Sequence, residues 1–186
     1  IILEPIMSTV NILHQLDITV GDKAFIVGDG FMSLLLIAGL SKYPLSELVV
    51  VGHHDYKLNL AKDLGATKII NNTNIDNRDI NEELFEITKL GFDISIEYAG
   101  NTSSLALAAS VCKPKVRSQL VLGSSYSNDM PFVISNYLQN RAPIIVPSYP
   151  HQSKNKILDL ERAALGVNNI FPIKKLITHE FNFDNV

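Results

Sequence analysis

Short apolar runs alternate with helically periodic segments along the whole chain, and the alternation predicts its elements. Met7–Leu16 reads as an opening helix. Ala24–Val27 is a continuous apolar run and predicts a buried strand, followed by a helix from about Phe31 to Lys42. Leu48–Val51 is the next strand, with a helix from about Asp55 to Leu64 and Gly65 placed as its C-terminal stop. Lys68–Ile70 predicts a short strand, and the polar, Asn-rich stretch Asn71–Asn81 a loop leading into a helix over Ile80–Lys89. Phe92–Glu97 (strand), Ser103–Val111 (helix) and Gln119–Leu122 (strand) come next. Pro143–Pro147 is apolar but carries prolines, which places it at a sheet edge. A helix from about Ser153 to Leu165 and a last short strand near Leu176–His179 complete the reading.

Strands separated by helices require crossover connections and hence a parallel sheet. Runs such as Val49-Val50-Val51 and Leu120-Val121-Leu122 are apolar at every position, as expected where helices cover both faces. The predicted fold is α/β: a doubly wound sheet of about six strands in 3-2-1-4-5-6 order, with a ligand crevice at the strand C-termini. No internal repeat or linker divides residues 1–186, so one domain is expected.

Composition narrows the function. The 186 residues are 46% hydrophobic and 19% charged, with a net charge of −3, which suits a folded domain and offers no basic surface for nucleic acid. The longest apolar run, Leu34–Leu40, is too short to span a bilayer, so no membrane partner is expected. Cys112 is the lone cysteine and reads as a packing residue, which fits a reducing, cytoplasmic setting. A start at Ile1-Ile-Leu-Glu-Pro, with no initiator Met and no signal pattern, suggests a piece of a longer chain.

The chemistry begins at Gly28-x-Gly30-x-x-Ser33, between the first strand and its helix. In a dinucleotide fingerprint the first Gly permits the tight turn and the second lets the backbone approach a pyrophosphate. The third position must be small for helix and strand to pack closely, and Ser33 is small though not Gly. Backbone N–H groups near Phe31 and Met32 would hold phosphate oxygens at the helix start. An ordinary strand-to-helix turn would also carry glycines, so the motif gains its weight from the βα series behind it. Asp29 would repel a pyrophosphate and is expected to point away from it.

Several further segments, in order, resemble the cofactor domain of the medium-chain dehydrogenase/reductase family. They are Glu4-Pro5, Val20-Gly21-Asp22-Lys23, Lys57-Leu58 through Ala61-Lys62 to Gly65-Ala66, Gly91-Phe92-Asp93 to Glu97-Tyr98-Ala99-Gly100, Val121-Leu122-Gly123, and Leu176-Ile-Thr-His-Glu-Phe181. Glu4-Pro5 resembles the sorbitol and polyol dehydrogenase branch, where a Glu at this place ligates the catalytic zinc or holds its water. The resemblance thus implies Glu4 as the catalytic and metal-linked residue, with the other zinc ligands in an N-terminal domain outside these residues. Zinc would polarise the alcohol or carbonyl oxygen, and a nearby carboxylate would tune it. Small residues at Gly100, Gly123, Ser124 and Ser148 would, by the same resemblance, let the backbone meet the cofactor, with Tyr149 beside them. Taken singly, each is also ordinary turn chemistry.

Cofactor choice is read at the end of the second strand, where an acid would hold the adenosine ribose of NAD. That position is Gly52, followed by His53 and His54. Gly52 would leave room for a 2′-phosphate, and the imidazoles or Lys57 would donate to it, so NADP is expected ahead of NAD. Asp55 is the alternative ribose acid but also stands where a helix N-cap belongs, and exposed histidines are often inert. Lys42-Tyr-Pro-Leu-Ser46 with Val51-Gly-His-His-Asp-Tyr-Lys-Leu58 resembles the NADPH-dependent ribulose-5-phosphate reductases on the cofactor side only. The reading favoured is hydride transfer between NADP(H) and a polyol or its ketose, phosphorylated or not, in a homo-oligomer. A zinc-free quinone reductase, a methyltransferase and a non-catalytic nucleotide-binding module stand against it. Glu4-Pro5 opposes the first, and the missing acid at Gly52 opposes the second.

Overall fold

A computed structural model of the chain describes residues 2–73, 77–114, 117–126, 136–148, 156–167, 169–182 and 184. In chain order the elements are α1 (Leu3–Gln15), β1 (Lys23–Val27), α2 (Phe31–Leu40), β2 (Glu47–Gly52), α3 (Asp55–Asp63), β3 (Lys68–Asn71) and α4 (Asn77–Ile87). They continue with β4 (Ile94–Glu97), α5 (Thr102–Ser110), β5 (Gln119–Leu122), α6 (Asn136–Arg141), β6 (Ile144–Pro147), α7 (Lys156–Gly166) and α8 (Ile173–Leu176). The six strands form one sheet in the order β3-β2-β1-β4-β5-β6, and every pairing is parallel.

The all-apolar strands resolve into two cores, because successive side chains point to opposite faces. Ala24, Ile26, Leu48, Val50, Ile94, Ile96 and Val121 join α1, α2, α3 and α7 on one face. Phe25, Val27, Val49, Val51, Phe92 and Leu120 join α4 and α5 on the other. Helices cover both faces of β1 and β2, which is why neither shows polar alternation. At the C-terminus of α3, Gly65 has φ +115°. Its N–H donates to Lys62 and the Ala66 N–H donates to Ala61, so the last carbonyls of the helix are satisfied.

Four expectations are corrected. The helix α1 begins at Leu3 rather than Met7, because Pro5 lies in the first turn, where its missing N–H leaves no bond unmade. The helix α4 begins at Asn77, three residues inside the stretch read as loop, since its polar first turn shows no apolar periodicity. The sequence reading does not contain α6, whose packed apolar side chain among the described ones is Leu138. It ends on Ala142 at φ +46°, a left-handed residue with no glycine to mark it. Finally, Leu176–His179 is not a strand. Leu176 closes α8 with its side chain buried, and Ile177 beyond it is 48% exposed without a ladder partner among the described residues.

Candidate functional site

The strand order reverses between β1 and β4, and there the crevice opens. Gly28 sits at the tip of β1 with φ +120°. A Cβ there would stand 2.8 Å from the Tyr98 carbonyl carbon, so the tips of β1 and β4 close only on a glycine. The Gly28 N–H donates to Val51, and its carbonyl accepts the buried Ser33 hydroxyl at 2.7 Å. Ser33 therefore does more than stay small: it ties the first turn of α2 to the strand end.

Gly30 differs from Gly28. Its φ of −72° suits any residue, and no described residue lies within 4 Å of where a Cβ would stand. It is the N-cap of α2, and the first intrahelical bond runs from the Leu34 N–H to the Gly30 carbonyl. The N–H groups of Phe31, Met32 and Ser33 precede that bond, and no acid stands in the first turn. Open backbone and a positive helix end together suit an anion such as a pyrophosphate.

Asp29 does point away from this opening, and what it points at changes the picture. Its Oδ2 accepts the His53 and His54 N–H groups at 2.8 Å each, and the His54 ring nitrogen Nδ1 lies 3.0 Å away. The side chain fills the space beside Gly52, where a Cβ would stand 2.7 Å from both Asp29 Cβ and Asp29 Oδ2. The space that a side chain at residue 52 would need is thus occupied by a carboxylate. Burial alone would raise the Asp29 pKa. The bonds from His54 and His53 outweigh it and hold the carboxyl below its ordinary value.

The other residues at the β2 end are placed as follows. His54 is the N-cap of α3 and stacks edge-on to Tyr56. His53 is exposed, and its carbonyl accepts the Thr73 hydroxyl. The Lys57 ammonium lies 5.7 Å above the Tyr56 ring. Asp55 is not the cap but the first helical residue, and its Oδ1 accepts from the Asn71 side chain toward β3.

Gly100, Gly123, Ser124 and Ser148 come together at the C-terminal ends of β4, β5 and β6. A Cβ on Gly100 would be 3.5 Å from Ser124 Cβ, and the Ser148 N–H donates to Leu122. The space at Gly123 is taken by the Tyr98 ring, 2.6 Å from where a Cβ would stand. The Tyr98 hydroxyl is buried without a hydrogen-bond partner among the described residues. Burial raises its pKa, and the nearby Ser148 hydroxyl offsets this only in part. Tyr149 lies outside the described residues.

Sequence reasoning passed over Glu97. It is fully buried at the end of β4 and accepts from the Ala99 and Gly100 N–H groups and the Ser104 hydroxyl at 2.7 Å each, and from the Tyr126 hydroxyl. Its signal was an acid closing an apolar strand, Ile94-Ser-Ile-Glu97, where only a fully bonded carboxylate is tolerated. Tyr126 is held in its neutral form by burial, by that bond and by the Glu97 charge. Burial likewise pushes the Cys112 thiol up to about 12, which removes it as a nucleophile.

Glu4 lies in the first turn of α1, exposed, with its carboxylate accepting the Ser8 hydroxyl at 2.9 Å. Among the described residues no three His, Cys, Asp or Glu side chains gather as a metal would need. Glu4 can contribute one oxygen ligand but cannot hold zinc without donors from elsewhere.

Comparison with known proteins agrees with this geometry. A family model for zinc-binding dehydrogenases matches residues 32–157. The chain is 31% identical over 112 residues to an S-(hydroxymethyl)glutathione dehydrogenase of Komagataella pastoris, covering 60% of this chain and 30% of that one. A zinc-binding dehydrogenase of Sinorhizobium meliloti bound to NADP shares the fold with a TM-score of 0.78 at 17% identity, over 95% of this chain and 50% of that chain. A short chain alcohol dehydrogenase of E. coli CFT073 complexed with NADH also reaches 0.78, at 23% identity, over 98% and 51%. The chain thus spans less than a third of the curated relative and about half of each solved chain. It belongs to the zinc-binding dehydrogenase family, as a cofactor-binding domain of the medium-chain dehydrogenase/reductase type.

Proposed function

We propose that residues 1–186 are the nicotinamide-dinucleotide domain of a zinc-dependent alcohol or polyol dehydrogenase, with most zinc ligands supplied from outside these residues. The observation that carries this reading is the pairing of the open backbone at Gly30 with the uncapped start of α2, at the point where the strand order reverses. The pyrophosphate would lie against Gly30, Phe31 and Met32. The nicotinamide would reach toward Gly100, Gly123, Ser124 and Ser148, which line the strand ends farther along the crevice. The cofactor supplies the hydride chemistry; this chain's residues bind it, orient it and keep one face toward the substrate.

The substrate class we favour is a polyol or its ketose, and Glu4 is the residue we tie to the metal. Its exposed carboxylate in the first turn of α1 is accessible to a partner surface. We further propose a cytoplasmic enzyme. No helix among the described residues is long and apolar enough to cross a membrane. A homo-oligomer would form through the β6 edge, where Ile144 and Ile145 are 40% and 39% exposed. The test uses the full-length protein, a panel of polyols and ketoses, and the Glu4→Ala variant, followed by nicotinamide fluorescence and zinc content. Loss of a direct or hydrogen-bonded metal partner should lower turnover or metal affinity about 10–100-fold and leave cofactor binding intact. Normal zinc and normal turnover in Glu4→Ala would remove Glu4 from the site.

A further inference from the structure

The acid that a dinucleotide fold normally carries at the end of its second strand is absent here, since that position is Gly52. Yet a carboxylate is present in the same place. A Cβ on residue 52 would stand 2.7 Å from Asp29 Oδ2, about the reach of an aspartate's own oxygen from its own Cβ. The Asp29 side chain has crossed from the Gly28–Gly30 turn to the tip of β2 and occupies the position that a strand-end acid would hold.

How this carboxylate is bonded decides what it can still do. Oδ2 takes both backbone N–H groups of the β2–α3 turn and the closer contact of His54 Nδ1. Oδ1 receives only the 3.2 Å contact from that same ring nitrogen. An ionised carboxylate has about four lone-pair sites, so Oδ1 keeps acceptor capacity. The Asp29 side chain is 9% exposed beside a His54 ring that is 52% exposed. The turn is therefore held by Oδ2, and Oδ1 is the less engaged oxygen.

We infer that Asp29 is the specificity-determining residue for the adenosine end of the cofactor, its Oδ1 accepting the ribose hydroxyls and its charge excluding a 2′-phosphate, so that this protein takes NAD rather than NADP. The inference rests on the dinucleotide reading above and reverses the preference expected from Gly52 alone. The groups that would favour a phosphate have partners of their own. His54 Nδ1 is turned onto Asp29 itself, and Lys57 lies over Tyr56.

The test is a calorimetric titration of the full-length protein with ADP-ribose and with 2′-phospho-ADP-ribose, which omit the nicotinamide and so report the adenosine end alone. Wild-type protein should favour ADP-ribose by at least about tenfold. Asp29→Asn keeps an acceptor for the His53 and His54 N–H groups but loses the charge. It should weaken ADP-ribose about 10-fold or more and narrow or reverse the preference. His54→Gln, which leaves the carboxylate in place, should retain the wild-type preference and shows whether disturbing the turn is itself enough to change it. A wild-type preference for the 2′-phosphorylated ligand, or an Asp29→Asn ratio equal to wild type, would overturn the inference while leaving the dinucleotide reading standing. Failure of wild-type protein to bind either ligand would overturn both.

Discussion

At Gly28 a Cβ would collide with the Tyr98 backbone, whereas at Gly30 it would meet no described residue, and the two glycines serve different ends. The first closes the fold and the second leaves space. Gly52 belongs with the first, because its missing side chain makes room for Asp29. Gly52→Ala should therefore force the Asp29 side chain from its place and destabilise the protein by about 1–3 kcal/mol, as overpacking does. The double change Gly52→Asp with Asp29→Gly returns the acid to the strand and should recover ADP-ribose binding that Gly52→Ala loses. Urea unfolding and ligand titration check both. Asp29 also predicts an acid response. Its folded-state pKa is depressed, so its stabilising contribution is complete above the unfolded value and is lost as pH falls through the folded one. Stability should fall on acidification below about pH 4, less steeply in Asp29→Asn than in wild type. Equal slopes for the two proteins would contradict the assignment.

The elements that sequence patterning reveals are those whose apolar residues repeat. The strands β1, β2 and β5 were legible because both faces are buried, and the C-terminus of α3 because Gly65 is the residue its left-handed turn requires. What stayed hidden has no such mark. Among the described side chains α6 packs Leu138 and α8 buries Leu176, and α4 opens on three polar residues. At the site, the Gly28–Ser33 turn was readable from spacing. The crossing of Asp29 to β2 was not, because contact between two strand tips 24 residues apart leaves no local pattern. The edge position of β6 was readable from its prolines. Its exposed Ile144 and Ile145 predict that Ile145→Lys weakens self-association of the full-length protein without changing ADP-ribose affinity. Light scattering against concentration would show an unchanged mass if this edge carries no contact.

For the molecule as a whole, the sheet places three groups along one crevice: the phosphate turn at β1, the carboxylate at the tip of β2, and the small residues at the ends of β4, β5 and β6. Glu4 lies on a different element, α1, so the proposed roles of binding the cofactor and meeting the metal are separated. The central claim is that a dinucleotide's pyrophosphate lies against Gly30. It is tested most directly by calorimetric titration of the full-length wild-type protein and its Gly30→Val variant with ADP-ribose. Valine suits the φ of −72° and meets no described residue at its Cβ, so the variant should fold and melt as wild type does. Its side chain would fill the space the pyrophosphate needs. The account predicts measurable binding by wild type and none by the variant at equal thermal stability; equal affinity in the two proteins would contradict it.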